Sequence, residues 1–191
     1  INQLVIGTNQ NDILHRFMSQ NLYQMQPLQH TLSPSMDIVV SSNFERLLFD
    51  LYGRNGMQLA GLMNKMSQQD VVIDHDRWQQ ARDLFDSWSV NNNATLEIIN
   101  DLYRETGQIM DPHSAIGVAA ARACWRDKRT PMITLATAHA AKFPEAIAKS
   151  GISKAVELPQ HMDDLFEREE RFTVIDNDLQ AVQLFMQEHL H

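Results

Sequence analysis

The sequence has little cysteine and little glycine, and each shortage argues against a class of protein. Cys124 is the single cysteine among 191 residues, so no internal disulfide can form and no disulfide framework indicates secretion. The 7 glycines form no phosphate-cradling cluster, and neither a Walker A loop nor G-x-G-x-x-G occurs. We therefore expect a reducing, cytoplasmic location and no phosphate loop within this chain.

Basic runs, long apolar runs and zinc motifs are also lacking. The 16 Lys and Arg residues are outnumbered by 24 Asp and Glu residues, which gives a net charge of −8, and no basic run could neutralise a phosphate backbone. No apolar run approaches the roughly 20 residues of a membrane helix, and the first residues show no signal-peptide pattern. H-E-x-x-H and paired C-x-x-C motifs are absent. We expect no nucleic-acid partner, no membrane association and no metal.

The first part of the chain, residues 1–52, combines a strand with helices. The apolar run at 4–7 predicts a short buried strand, and the apolar positions that follow it predict a helix at about 12–19. After a proline-containing loop, apolar residues spaced i, i+3, i+4 and i+7 predict a helix between Ser42 and Gly53. We interpret this part of the chain as the start of an α/β fold.

The rest of the chain divides into a helical excursion at 53–107 and an α/β segment at 108–191. Asp111 followed by Pro112 is a helix start, and the alanine-rich face after it suits packing on a sheet. Further elements are predicted as strands at 131–136 and 172–175 and helices at 143–150 and 179–190. We interpret 1–52, 53–107 and 108–191 as parts of a single incomplete domain with parallel strands.

Two polar segments follow predicted strands and are the candidate sites. Thr137, His139 and Lys142 lie just after the strand at 131–136, and residues 8–12 lie just after the first strand. Ligands of open α/β sheets bind at this carboxyl edge, whereas caps and turns use the same residue types. The residues alone leave both interpretations open.

Other polar residues are better explained by local structural roles than by a binding or catalytic site. Asp74, beside His75 and Asp76, is expected to cap a helix rather than bind a metal. His113 is expected to pack or to form a local hydrogen bond, and Cys124 is expected to be buried and inert.

Four segments that together span essentially the whole chain carry a recognisable pattern: G-T-N-Q-N-D at 7–12, S-P-S-M-D-I at 33–38 with S-S-N-F-E-R at 41–46, D-P-H-S-A at 111–115, and L-A-T-A-H-A-A-K-F at 135–143. In sequence, order and spacing they resemble the threonine synthase family, which consists of pyridoxal-phosphate enzymes of the tryptophan-synthase β-subunit type. One departure is Ala140, where the family usually has proline. The resemblance implies the C-terminal part of a fold-type II pyridoxal-phosphate enzyme.

The resemblance also implies a role for three residues. Thr137 matches the family threonine that faces the pyridine nitrogen of pyridoxal phosphate, and Thr8 and Asn9 would line the same cofactor cleft. A neutral hydroxyl can donate a hydrogen bond to an unprotonated ring nitrogen, whereas a carboxylate would keep that nitrogen protonated. The implied reaction converts O-phospho-L-homoserine and water into L-threonine and phosphate by γ-elimination and β-addition.

Family members are more than twice as long as this chain, which resembles their C-terminal portion. The chain opens with Ile1 rather than methionine, and the Schiff-base lysine and the glycine-asparagine phosphate loop lie upstream in the family. We therefore assign no catalytic residue in this chain, and we do not assign Lys142 as the Schiff-base lysine. We expect the N-terminal half of the same protein to be a partner of this chain. The isolated chain is expected to be inactive.

Two alternative functions remain at this stage. One is a stand-alone, non-catalytic domain that binds a ligand or a partner protein, and the other is a threonine synthase-like phospholyase. The roles of Ser42, Asn43, His113 and His139 also stay open, because Ser42 and Asn43 could meet an anion at a helix start or simply cap it.

Overall fold

The computed structural model describes residues 1–190, which form two compact units, Ile1–Val156 and the chain from Glu157 onward. The helices and strands are β1 Leu4–Thr8, α1 Ile13–Gln20, α2 Phe44–Leu51, α3 Gly56–Met66, α4 His75–Leu84, β2 Phe85–Ser89, α5 Asn92–Thr106, α6 Pro112–Cys124, α7 Pro144–Lys149 and α8 Leu179–His189. Helices combined with a parallel sheet confirm the predicted α/β class.

Strands β1 and β2 pair in parallel, in a register that runs from Leu4 opposite Phe85 to Thr8 opposite Ser89. The predicted strand at 4–7 is confirmed as β1, but the predicted burial is not: Leu4 is exposed and residues 5–7 are half-buried. Strand β2 was not predicted, because it lies within the stretch expected to be helical. Its pairing depends on a strand about 80 residues earlier, and short strands are specified by such neighbours more than by local propensity.

The helices predicted in residues 1–52 are confirmed. The helix expected at about 12–19 is α1, and the one expected after Ser42 is α2, which begins at Phe44 and buries Leu48 and Leu51. Gly53 follows with φ of 61°, a backbone conformation that glycine adopts without steric cost. The apolar spacing thus located both helices.

The helix start predicted at Asp111 and the helices predicted at 143–150 and 179–190 also agree with the structure. Asp111 caps α6, Gly107 ends α5 in the left-handed conformation, and α7 and α8 lie where helices were expected. Asp74 caps α4 by accepting a hydrogen bond from the backbone N–H of Arg77, which confirms its capping role.

The main hydrophobic core lies among α1, α2, α3 and α4. Phe17, at 0% exposure, makes an edge-on contact with Phe44, which in turn stacks on Tyr23. Trp78 joins this cluster from α4 and donates its indole N–H to the backbone carbonyl of Phe17 at 2.8 Å. The core therefore fixes the position of α1, the helix that directly follows β1.

Helix α6 packs on the sheet through small residues, as its alanine-rich face predicted. A Cβ placed on Gly7 of β1 would lie 3.2 Å from Cβ of Ala120. Ile116 is fully buried, and Ala115 joins a second cluster with Ile99 and Ile147. This close packing holds the first turn of α6 near the carboxyl end of β1.

Two predicted strands are wrong. Residues 131–136 and 172–175 form no strand in the structure, and their apolar side chains are exposed, with Ile133 at 81%, Leu135 at 76% and Val174 at 84%. The composition of both segments suits a buried strand. A strand also needs a neighbour for its backbone hydrogen bonds, and the described residues offer neither segment one.

The second unit contains α8, whose N-cap Asp178 accepts a hydrogen bond from the backbone N–H of Ala181. Apolar residues of this helix, including Leu179 and Leu184, are exposed. Among the described residues, no helix combines the length and the hydropathy that crossing a membrane requires.

Candidate active site

The carboxyl end of β1 leads into a buried amide network centred on Asn9. Asn9 is 1% exposed, and its Nδ2 lies 2.8 Å from Oδ1 of Asp37 and 3.0 Å from Oγ of Ser33. Its Oδ1 accepts the backbone N–H of Asn11 at 2.9 Å. Because every polar atom of the Asn9 side chain has a partner, this residue fixes the loop around it.

The loop at 31–37 connects this network to α6. Ser33, which contacts Asn9, is 1% exposed. Two residues later, the backbone N–H of Ser35 donates to Nε2 of His113 at 3.2 Å. One short loop therefore joins the carboxyl end of β1 to the first turn of α6.

The first turn of α6 holds a buried Asp111–His113 pair. Nδ1 of His113 lies 2.9 Å from Oδ1 of Asp111, and the side chains of His113 and Asp111 are 6% and 0% exposed. Since Nε2 accepts the N–H of Ser35, it carries no proton, and the proton on Nδ1 is donated to Asp111. This local bond, with the ring packed against Phe143, confirms the predicted structural role of His113.

Thr137 lies beside the same turn and is tied to it by Ser114. The backbone N–H of Thr137 donates to Oγ of Ser114 at 3.0 Å, and the two hydroxyl oxygens are 3.4 Å apart. Oγ of Ser114 in turn donates to Oδ2 of Asp111. The side chain of Thr137 is exposed, so its hydroxyl can reach a ligand while its backbone is held in place.

Thr8 presents the opposite case, a buried hydroxyl with no partner. The residue is 8% exposed, and its Oγ1 forms no hydrogen bond within the described chain. Its carbonyl accepts the N–H of Val90, which continues the parallel pairing. Buried hydroxyls normally have a partner, and this one lies at the carboxyl edge where sheet ligands bind.

Other polar residues singled out from the sequence have local roles. His139 accepts the N–H of Ala141 through Nδ1 and caps a short 3₁₀ helix at Ala140–Lys142. Burial raises the pKa of the Cys124 thiol, and the charge of Asp86 adds to the effect. The predicted burial of Cys124 is confirmed, and a raised pKa lowers the thiolate fraction, which supports the prediction that the thiol is inert.

An open groove of about 780 Å³ lies between α2 and α3, and Ser42 and Asn43 line it. The other polar lining residues carry both signs of charge: Glu45, Asp50, Arg46 and Arg54. The side chain of Asn43 forms no capping hydrogen bond. Thr8, Asn9 and Thr137 lie outside this groove, and no group of His, Cys, Asp and Glu suited to a metal occurs among residues 1–190.

The structure thus connects the two predicted segments through residues that the sequence reasoning did not assign to a site. Asn9 reaches α6 through Ser33 and Ser35, and Thr137 reaches it through Ser114. No direct hydrogen bond joins Thr137 to Thr8 or Asn9 within the described chain. Serines are common in turns and first helical turns, so the only signal for them was their presence in the family-like segments.

Comparison with known proteins relates this chain to threonine synthases. A family model described as "Threonine synthase, C-terminal" matches residues 114–186. The curated threonine synthase of Pseudomonas aeruginosa is 54% identical over 190 residues, which are 99% of this chain and 40% of that protein. The chain therefore spans about 40% of the length of this relative.

Solved structures give the same relationship. A pyridoxal-phosphate-bound threonine synthase from Brucella melitensis superposes with a TM-score of 0.90 at 40% identity, covering 99% of this chain and 40% of that one. The yeast threonine synthase superposes with a TM-score of 0.86 at 32% identity, covering 100% of this chain and 42% of that one. The chain therefore belongs to the threonine synthase family and corresponds to the C-terminal portion of its members.

Proposed function

We propose that this chain is the C-terminal portion of a pyridoxal-phosphate-dependent threonine synthase that converts O-phospho-L-homoserine and water into L-threonine and phosphate. The observation that carries the proposal is 54% identity to a curated threonine synthase across 99% of the chain. The whole protein would be cytoplasmic and would include an N-terminal portion bearing the cofactor's lysine and phosphate loop.

Thr137 is the proposed contact to the cofactor ring. Its exposed hydroxyl, held by the backbone bond to Ser114, fits a ring nitrogen that needs a donor. When bound, pyridoxal phosphate supplies a ring that stabilises negative charge on substrate carbons. A neutral hydroxyl opposite its nitrogen leaves that nitrogen unprotonated, which moderates the electron withdrawal.

Thr8 and Asn9 are proposed to line the cofactor cleft in different ways. The unpaired hydroxyl of Thr8 is available to a ligand or to a bridging water, whereas the side chain of Asn9 is fully engaged within the protein. Asn9 would therefore shape the cleft by holding the loop at 31–37, rather than by a side-chain hydrogen bond to the cofactor.

The exposed apolar segment at 131–136 supports a larger assembly. Ile133 and Leu135 face outward beside α6, and the segment has the composition of a buried strand. We propose that a strand of the N-terminal portion covers it and completes a single domain of which residues 1–52, 53–107 and 108–191 are parts.

The experiment is to assay the full-length protein with O-phospho-L-homoserine, measuring phosphate and amino-acid products. Equal amounts of phosphate and threonine are expected. Phosphate with a keto acid instead of threonine would indicate a phospholyase, and no turnover would favour a non-catalytic domain.

Thr137→Val tests the site, with Thr130→Val as the matched control because Thr130 is exposed and bonds only to Asp127 through its hydroxyl. Losing one hydrogen bond of about 1 kcal/mol predicts roughly five- to tenfold weaker pyridoxal-phosphate binding for Thr137→Val and no change for Thr130→Val. Equal affinity in both variants would contradict the role of Thr137.

The isolated chain should bind no pyridoxal phosphate covalently, so borohydride trapping on one of its lysines would also count against the proposal.

A further inference from the structure

A chain of hydrogen bonds leads from a fully buried carboxylate to the exposed Thr137. The Asp111 side chain is 0% exposed and Ser114 is 2% exposed. Ser114 stands between them, contacting Asp111 through Oγ and accepting the backbone N–H of Thr137 with the same atom. The proposed function assigns a contact with the cofactor only to Thr137, the last member of this series of hydrogen bonds.

The direction of the bonds follows from the donors around Asp111. Oδ1 of Asp111 accepts the backbone N–H of His113 at 2.9 Å and the proton on Nδ1 of His113 at 2.9 Å. A carboxylate offers only acceptors, so the hydroxyl of Ser114 is the donor in its contact with Oδ2. Since Ser114 has one hydroxyl proton, it presents only lone pairs to Thr137.

This arrangement leaves the hydroxyl of Thr137 with a proton to donate. A lone pair of Ser114 accepts the backbone N–H of Thr137 at 3.0 Å, which fixes the main chain. The 3.4 Å between the two hydroxyl oxygens exceeds the usual 2.5–3.0 Å range of O–H···O bonds. The proton of Thr137 is therefore not held by Ser114 and can point to an outside acceptor.

We propose that Ser114 is a positioning residue. Its own proton is held by Asp111, so its oxygen accepts the backbone N–H of Thr137 and fixes that residue. The hydroxyl of Thr137 is then left as a donor to an unprotonated aromatic ring nitrogen. This inference rests on the proposed function, in which that ring belongs to pyridoxal phosphate. A protonated ring nitrogen would instead require the Thr137 hydroxyl to accept from the ring and to donate its own proton elsewhere.

The test is a double-mutant cycle in the full-length protein, with pyridoxal-phosphate affinity measured by absorbance titration. Ser114→Ala removes the acceptor for the Thr137 backbone and is expected to weaken binding about fivefold. In the Thr137→Val background, the same substitution should change the affinity by less than about twofold, because the bond it orients is already gone. An effect of equal size in both backgrounds, or none in either, would overturn the proposal.

Two further variants separate orientation from packing. Ser114→Cys fills the same space with a poor acceptor, so it should weaken binding as much as Ser114→Ala; a loss confined to the alanine variant would overturn the proposal. Ser150→Ala is the matched control, since Ser150 is also buried, at 8% exposure, and its hydroxyl donates to the carbonyl of Ile147 away from Thr137. It should leave the affinity unchanged in both backgrounds.

The protonation state of the ring gives a second readout, the ¹⁵N chemical shift of the labelled ring nitrogen in the bound cofactor. An unprotonated nitrogen is expected, and a protonated one would overturn the donor assignment. Failure of the proposed function looks different: a wild-type protein that binds no pyridoxal phosphate refutes that function, whereas binding without coupling between Ser114 and Thr137 refutes only this inference.

Discussion

Asp111 performs several tasks with one carboxylate. It caps α6 by accepting backbone N–H groups, orients the imidazole of His113, and holds the proton of Ser114. Hydrogen bonds to a charged acceptor contribute more to stability than neutral ones, and buried donors that lose their acceptor add a further cost. Asp111 therefore links the stability of α6 to the geometry of the candidate site.

Asp111→Ala should reduce the free energy of unfolding of this chain by about 3 kcal/mol, because a cap and two buried side-chain bonds disappear together. Asp74→Ala is the matched control, since Asp74 also caps a helix but its side chain is 52% exposed. Its loss should cost about 1 kcal/mol. Urea unfolding followed by circular dichroism measures both values, and equal losses would contradict the role assigned to the Asp111 network.

Helix α6 is the element that assembles the site. Its first turn carries Asp111, His113 and Ser114, while its small residues allow β1 to approach closely at Gly7. One turn further on, a Cβ on Gly117 would lie 3.0 Å from Cγ2 of Thr134. The segment that leads to Thr137 therefore lies against the helix, and the absence of a side chain at Gly117 leaves room for the methyl group of Thr134.

Gly117→Ala and Gly61→Ala form a matched pair of helical glycine substitutions. Gly61 lies in α3, where an added Cβ would meet no other atom within 4 Å, so alanine there should stabilise the chain by about 0.5–1 kcal/mol. At Gly117 the same gain is offset by the contact with Thr134. In the full-length protein, Gly117→Ala should weaken pyridoxal-phosphate binding by shifting the backbone before Thr137, whereas Gly61→Ala should not. Unchanged affinity in both would contradict this packing argument.

The unit formed by residues 1–156 leaves an apolar surface uncovered. The sheet has two strands, β1 and β2, and the segment at 131–136, which contacts α6 at Gly117, exposes Ile133 and Leu135 without forming a strand. Unpaired strand edges and exposed apolar side chains favour association with another chain. In the proposed full-length protein, the N-terminal portion would cover this surface.

The isolated chain should therefore self-associate as its concentration rises, and light scattering measures this. Replacing both Ile133 and Leu135 with Asp should reduce this self-association, because charges oppose burial of that segment. Met57→Asp is the control: Met57 is 86% exposed on α3, away from the segment, and its replacement should change nothing. A wild-type chain that stays monomeric at all concentrations would count against the prediction.

Local patterns in the sequence were sufficient for most helices. The spacing of apolar residues located α1 and α2, and Asp111 with Pro112 marked the start of α6, because periodicity and capping act over a few residues. The short apolar run at 4–7 also predicted the strand β1. Thr137 became a candidate site residue because it follows the apolar run at 131–136. Its role came from the resemblance of its segment to a family, and that role stays a prediction.

Long-range pairing decided what the local patterns could not. Strand β2 forms because β1 lies beside it, while the segment at 131–136 has the composition of a strand and lacks a neighbour among the described residues. In the same way, Ser35 and Ser114 join the site only because the chain folds the loop at 31–37 and the segment at Thr137 against the first turn of α6. Hydrogen bonds between residues distant in sequence depend on the folded backbone, and no short stretch of residues encodes them.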